Sequence, residues 1–262
     1  MPRHDSYWSP SLRSTQPRSK RSMNPGLTTV RSTPTSICRL PMDVRWVCRL
    51  KTAIDYIFAV LLLIPAVPTV FIAWAAVRLS SRGPGFYSQE RVGQFGHVFT
   101  IYKLRTMYHE CESFTGPRWS TPGDPRVTRI GGILRALHFD ELPQLWNVLR
   151  GEMSLIGPRP ERPEIAAKLR QSIPNYDARM VLKPGVSGFA QIHLPPDTNT
   201  ASVRRKLMLD LHYIQNISVW LDLKIMMCTG LKVIGMHKMA GTDAIPNAQP
   251  IPDEPTPRAN AA

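Results

Sequence analysis

Two acidic residues, Asp140 and Glu141, stand side by side just ahead of the apolar stretch LPQLWNVL. That stretch predicts a helix opening at Asp140, with Pro143 in its first turn and Gly151 just past its end. The positive end of a helix dipole favours an ionised carboxylate. Such a carboxylate can attack phosphorus to form an acyl-phosphate, and a second one beside it can hold Mg²⁺ against substrate phosphates. The plainer role for Asp140 is a helix N-cap, and an isolated Asp-Glu pair does not choose between the two.

Arginines recur around this pair. Arg105 ends a β-rich segment, Arg126 and Arg129 sit in DPRVTR, and Arg159 lies between Pro158 and Pro160. A guanidinium binds two oxygens at once, which suits a diphosphate. Any one of these arginines taken alone reads equally well as part of a solvated basic face. The segment KPGVSG at 183–188 reads as a turn. Other chemistries lack their patterns. There is no G-x-x-x-x-G-K-[ST], no G-x-G-x-x-G and no Asp-x-Asp. The seven histidines show no zinc spacing, and the four cysteines form no C-x-x-C. A zinc site and a disulfide framework are therefore not expected, and a reducing compartment fits.

Elements to position these residues follow from the periodicities. Residues 85–104 mix β-branched and aromatic residues around Gly93 and Gly96, a hairpin pattern. Residues 129–139 read as a short amphipathic helix. In the helix after Asp140, the residues Leu142, Leu145, Trp146 and Leu149 would share one apolar face. Two more amphipathic segments fill 203–236, broken near Gln215–Ser218; the second suits a membrane surface or a core helix equally.

Tyr56 to Val77 is an uncharged run of 22 residues, about 33 Å as a helix and long enough to cross a bilayer core. Pro65 and Pro68 sit in its middle, where a proline should break or kink it. Lys51 before it and Arg78 and Arg82 after it put basic residues on both flanks. That suits a re-entrant hairpin with both ends toward the cytoplasm; a spanning helix and a buried core helix stay open at this point.

The formal net charge is +14, unevenly placed. Residues 1–51 hold ten Lys/Arg against Asp5 and Asp43, a net +8. Residues 1–41 are rich in Ser, Thr, Pro and Arg without apolar periodicity, and read as disordered. They resemble an organellar transit peptide in composition, and Met23 or Met42 are alternative starts. The tail from about Gly241 also reads as disordered. A basic chain of this kind could instead be a membrane-tethered binder of nucleic acid or anionic lipid, with the acidic pair incidental.

Taken together, these segments carry a resemblance. The block DELPQLWNVLRGEMSLIGPRP (140–160) resembles the signature of the bacterial sugar transferases, the monotopic phosphoglycosyl transferases. GPGFYSQERVGQFGHVFTIYKLRTM (83–107), DPRVTRIGGILR (124–135) and KPGVSGFAQ (183–191) match further blocks in the same order. The resemblance implies an enzyme that moves a sugar-1-phosphate from a UDP-sugar to a polyprenyl (undecaprenyl) phosphate, releasing UMP. It implies that Asp140 is the nucleophile and Glu141 the Mg²⁺ partner. It also implies that Arg105, Arg126 and Arg129 hold phosphate and that Pro158, Arg159 and Pro160 lie near the nucleotide. The expected setting is the cytoplasmic face of the bacterial inner membrane, in contact with membrane lipid, with no nucleic acid partner; a homodimer is left open. Three departures stand out. Ile64 precedes Pro65 where Ser is frequent, Lys51-Thr52 replaces Lys-Arg, and Glu152 replaces Asp.

The expected fold is α/β. A basic segment 1–49 precedes a transferase domain 50–240 that includes a proline-broken, re-entrant membrane helix 54–78, a β-hairpin and several amphipathic helices. A tail, 241–262, follows.

Overall fold

The computed structural model describes residues 42–111, 119–121, 123–197 and 199–233. The readings made for residues 1–41 and for the tail lie outside these. The described part mixes helices with two small sheets.

Helix α1 runs without interruption from Met42 to Ser80. The domain boundary expected at residue 50 therefore falls inside a helix. The break expected at Pro65 and Pro68 is also absent: each ring removes one amide donor, yet the helix continues through both. Packing explains the continuity. Lys51, Asp55, Ala59, Ala66, Ala73 and Val77 form one buried stripe at spacings of four and seven, and it keeps the same face inward on both sides of the prolines. Its small residues let neighbouring elements approach closely. Thr69 Oγ1 also donates to Pro65 O at 2.7 Å. Much of the remaining surface between Tyr56 and Leu79 is apolar and exposed, including Ile57, Ile64, Phe71 and Ile72.

At its N-terminal half α1 is fastened by a buried polar network. Lys51 Nζ lies 2.7 Å from Asp222 Oδ2 and 3.7 Å from Asp55 Oδ2. Ser154 Oγ donates to Asp55 at 2.7 Å, and Tyr213 OH donates to Asp222 at 2.6 Å. Lys51 is thus a buried tie between segments far apart in sequence.

The hairpin forms as expected. Strands β1 (Phe86–Val92) and β2 (Val98–Leu104) pair antiparallel, from Phe86↔Leu104 to Val92↔Val98. Helix α2 (Arg129–Ala136) is capped by Thr128, whose side chain accepts from Gly131 N. A Cβ at Gly131 would collide with the backbone of Thr106, so the glycine permits α2 to close on the end of β2. His138, at φ +56°, ends α2 in the left-handed region and turns the chain into a 3₁₀ segment, Phe139–Gln144. Helix α3 (Leu145–Leu149) follows directly.

The single helix expected after Asp140 is therefore two pieces. Pro143 has no amide to give, and the tighter turn accommodates it. The apolar face also differs from the expected one. Trp146 is exposed, whereas Asp140, Gln144, Leu145, Asn147 and Val148 point inward. Asn147 explains the rotation. Its Nδ2 donates to Thr100 O and Glu152 Oε2, each at 2.7 Å, and its Oδ1 accepts from Tyr102 N at 3.3 Å. A buried amide locks α3 to the edge of β2.

Strand β3 (Ser154–Ile156) pairs in parallel with β4 (Gly185–Ser187). The segment expected to be a plain turn at 183–188 is thus partly a strand. Its glycines serve close approach: a Cβ on Gly185 or Gly188 would meet the backbone of Gly157. After β3 come α4 (Pro163–Ser172), a 3₁₀ segment Tyr176–Val181, and α5 (Phe189–His193). Helices α6 (Thr200–Gln215) and α7 (Val219–Val233) break where the pattern placed the break. In α7, Ile225 and Asp222 are buried, while Trp220 and Met227 are exposed.

Candidate active site

Asp140 is 7% exposed and sits on the inward side of the 3₁₀ segment. It is not the N-cap; His138 holds that place and caps nothing with its side chain. Among the described residues none hydrogen-bonds the Asp140 carboxylate. Burial pushes its pKa up, opposed chiefly by Lys103, while Glu141 adds to the rise and Arg135 and Arg159 oppose it. The result is a carboxylate with its lone pairs free, in a pocket of fixed positive charge.

Glu141 is the opposite case. Lys103 Nζ lies 2.7 Å from Oε1, and Arg159 Nη2 lies 2.6 Å from the same oxygen. Arg159 Nη1 reaches Oε2 at 3.3 Å. Burial alone would raise the pKa of Glu141, but these two cations hold it well below the usual carboxylate range. Burial in turn lowers the pKa of Lys103, and Glu141 opposes that.

The Pro158-Arg159-Pro160 segment is held rigidly. Gly185 N donates to Pro158 O at 3.0 Å, Arg179 Nη2 to Arg159 O at 3.0 Å, and Arg91 Nη1 to Pro160 O at 3.1 Å. Arg179 is itself held by Asp210 at 2.7 Å. Both prolines are buried and the Arg159 side chain is 43% exposed, so the guanidinium stands over Glu141 with one side open to solvent.

The other sequence-selected arginines lie differently. Arg105 gives its guanidinium to Ser81 O, Ser81 Oγ and Arg82 O, closing the C-terminal end of α1. Arg126 forms a fork with Asp124, with contacts of 2.6–3.1 Å. Arg129 is exposed at the start of α2. Of the selected residues, then, the structure gathers Asp140, Glu141 and Arg159 into one cluster. It adds two that sequence reasoning passed over, Lys103 and Arg135. Arg135 is braced by Thr106 Oγ1 at 2.8 Å and Ser120 Oγ at 2.9 Å. Lys103 is the next-to-last residue of β2, and its partner Glu141 lies 38 residues on, so no local pattern pairs them.

An unpaired carboxylate ringed by cations, with a rigid arginine at its open side, can receive a phosphate ester and offer it an oxygen nucleophile. Comparison of the whole chain with known proteins identifies its family. Residues 46–236 match the bacterial sugar transferase family, and the chain belongs to it. It is 42% identical over 193 residues to the UDP-glucose:undecaprenyl-phosphate glucose-1-phosphate transferase of Caulobacter vibrioides, covering 73% of this chain and 70% of that one. It is 40% identical over 200 residues to the undecaprenyl-phosphate glucose phosphotransferase of Komagataeibacter xylinus, covering 74% of this chain and 37% of that one. A UDP-N-acetylgalactosamine-undecaprenyl-phosphate N-acetylgalactosaminephosphotransferase of Aeromonas hydrophila is 40% identical over 181 residues, 69% of this chain and 42% of that one. The chain thus spans about two fifths of the length of these last two relatives.

Proposed function

We propose that this protein transfers a sugar-1-phosphate from a UDP-sugar to undecaprenyl phosphate through a covalent phosphosugar on Asp140. The observation that carries this reading is the contrast within the acidic pair. Glu141 is charge-paired with Lys103 and Arg159, chiefly through Oε1, whereas Asp140 is buried beside the same cations with no hydrogen bond of its own. A carboxylate oxygen of Asp140 forms a bond to the β-phosphorus as the bond from that phosphorus to the UMP oxygen breaks, and UMP leaves. An oxygen of the lipid phosphate then attacks the same phosphorus, and the Asp140 carboxylate is released. Lys103 and Arg159 offset the negative charge of the diphosphate.

The donor set suits Mg²⁺, which takes hard oxygen ligands and often one or two carboxylates with substrate phosphates completing its shell. Glu141 Oε2, with only its 3.3 Å contact to Arg159, is the oxygen that would hold it. When bound, the ion would neutralise charge on the diphosphate.

The setting we assign is monotopic, on the cytoplasmic face of the inner membrane. One described helix is long and apolar enough to cross a membrane, and only 17% of its apolar window is buried, unlike a core helix. Yet both ends of its buried stripe pack on the same folded unit. Lys51 meets Asp222, and Val77 joins Leu104 and Leu134. These ends are about 39 Å apart along the helix, more than a bilayer core is thick. An upright span would drag charged parts of the domain into lipid, so the packing supports a helix whose two ends stay on one face of the bilayer.

The relatives name glucose and N-acetylgalactosamine at nearly equal identity, so the sugar is not assigned. The test is UMP release by membranes carrying the protein, from a panel of UDP-sugars, with and without undecaprenyl phosphate. Release from no UDP-sugar under either condition would contradict the proposal.

A further inference from the structure

Residues 157–162 carry Arg159 to the acidic pair without belonging to a helix or strand. Their backbone carbonyls must therefore find donors elsewhere. Three successive ones do, each from a different element: Pro158 O from Gly185 N, Arg159 O from Arg179 Nη2 and Pro160 O from Arg91 Nη1. A cavity of about 20 Å³ lies against this stretch, with Arg159, Tyr176, Arg179 and Met180 in its lining. Packing on that side is incomplete, so the polar ties are what hold the backbone there.

The tie to Arg159 O is the most heavily built. Arg179 is buried in the 3₁₀ segment Tyr176–Val181. Its Nη2 also lies 2.7 Å from Asp210 Oδ2 on α6, and its Nη1 donates to Tyr176 OH at 3.0 Å. Asp210 and Tyr176 are buried as well. The surroundings are apolar: Tyr176 clusters with Leu169, Ile173, Val203 and Leu207, and Met180 and Leu211, the residues next to Arg179 and Asp210, pack on that cluster. In such surroundings a buried ion pair can often be replaced by apolar side chains with no loss of stability. An apolar pair could not supply a donor to Arg159 O. A guanidinium can, because its fixed fork serves several acceptors at once.

We propose that Arg179, held by Asp210, is the positioning residue for Arg159: it fixes the backbone from which the Arg159 guanidinium reaches Glu141 and the substrate diphosphate. This inference rests on the phosphosugar reading, in which Arg159 offsets the charge of the diphosphate. Among the described residues Arg179 bonds neither Asp140 nor Glu141, so its effect passes through Arg159. The aim of a long side chain is set by its own backbone, and a misplacement of about 1 Å can cost on the order of 10²-fold in rate.

The test compares the wild type, Arg179→Lys, Arg159→Ala and the double variant as purified proteins. Each is measured for melting temperature, for UMP release across UDP-sugar concentrations, and for UDP affinity by titration calorimetry. Lysine keeps the charge beside Asp210 and loses the fork. Arg179→Lys should lower kcat/KM by about tenfold or more in the wild-type background, and by less than about twofold once Arg159 is alanine. The Kd for UDP should follow the same pattern, and it completes the cycle where Arg159→Ala turns over too slowly to time. Equal losses in both backgrounds would overturn the proposal, because Arg179 would then act on the fold and not through Arg159. So would a wild-type kcat/KM and UDP affinity in Arg179→Lys. If Arg179→Lys does not fold, Arg179→Met combined with Asp210→Leu takes its place in the cycle, leaving neither charge unpaired; failure of that protein to fold also overturns the proposal. A wild type that releases no UMP from any UDP-sugar overturns the phosphosugar reading instead, and the UDP cycle still decides the role of Arg179.

Discussion

Lys103 Nζ lies 2.7 Å from Glu141 Oε1, joining the second strand of the hairpin to the segment that carries Asp140. The contact does two things at once. It fixes Glu141 in its ionised form, and it sets a buried positive charge beside Asp140.

Replacing Lys103 with Met keeps most of the side-chain volume and removes the charge. UMP release should fall on the order of 10²–10³-fold, the range seen when one preorganised charge-stabilising donor is lost. Steady-state kinetics on the folded variant check this. A loss of less than tenfold would mean that Lys103 only props up the hairpin.

The pair also makes a pH prediction. Asp140 is buried and its pKa is raised, so the folded protein holds this proton more tightly than the unfolded chain does. Stability from this group is present at low pH and lost as pH rises through its folded pKa. At neutral pH the ionised Asp140 is a cost to the fold. Asp140→Asn should therefore melt above the wild type at pH 7, and the gap should close below about pH 4, where an ordinary Asp is protonated. Thermal melts across pH, alongside UMP release that declines as Asp140 becomes protonated, test both halves.

How much of this was legible in the sequence differs by kind. The hairpin, the break between α6 and α7 and the acidic pair were readable because each has a local signal: alternation, a turn, or adjacent charges. The continuity of α1 was not, because local rules for proline say nothing about the Ala59–Ala66–Ala73 stripe that packs across the prolines. Likewise Arg105 and Arg126 look like Arg159 in sequence. Only tertiary structure shows that the first two are committed to backbone carbonyls and to Asp124, while Arg159 closes on Glu141. Asn147 rotated α3 away from its apolar face through contacts that no helical pattern contains.

The buried tie at the start of α1 makes a stability prediction. Lys51→Met would leave Asp55 and Asp222 buried without their cation, at a cost of about 3–5 kcal/mol. Adding Asp222→Asn should recover part of that loss. Denaturant unfolding of the single and double variants checks the sign of the recovery.

The membrane proposal predicts that both flanks of α1 lie on one side of the bilayer. In a cysteine-free background, Leu50→Cys and Arg82→Cys, both at exposed positions, should be shielded from an impermeant thiol reagent in intact cells and labelled after lysis. Labelling of one flank alone in intact cells would establish a spanning helix.

The central claim is that Asp140 carries the phosphosugar. Purified protein mixed with its UDP-sugar, without undecaprenyl phosphate, should release about one UMP per enzyme. Its intact mass should rise by one sugar-phosphate, the adduct should map to Asp140, and adding the lipid phosphate should discharge it. Asp140→Asn should form no adduct and show no turnover. Turnover that persists in Asp140→Asn, or UMP release that requires the lipid phosphate from the outset with no adduct on the enzyme, would contradict the account.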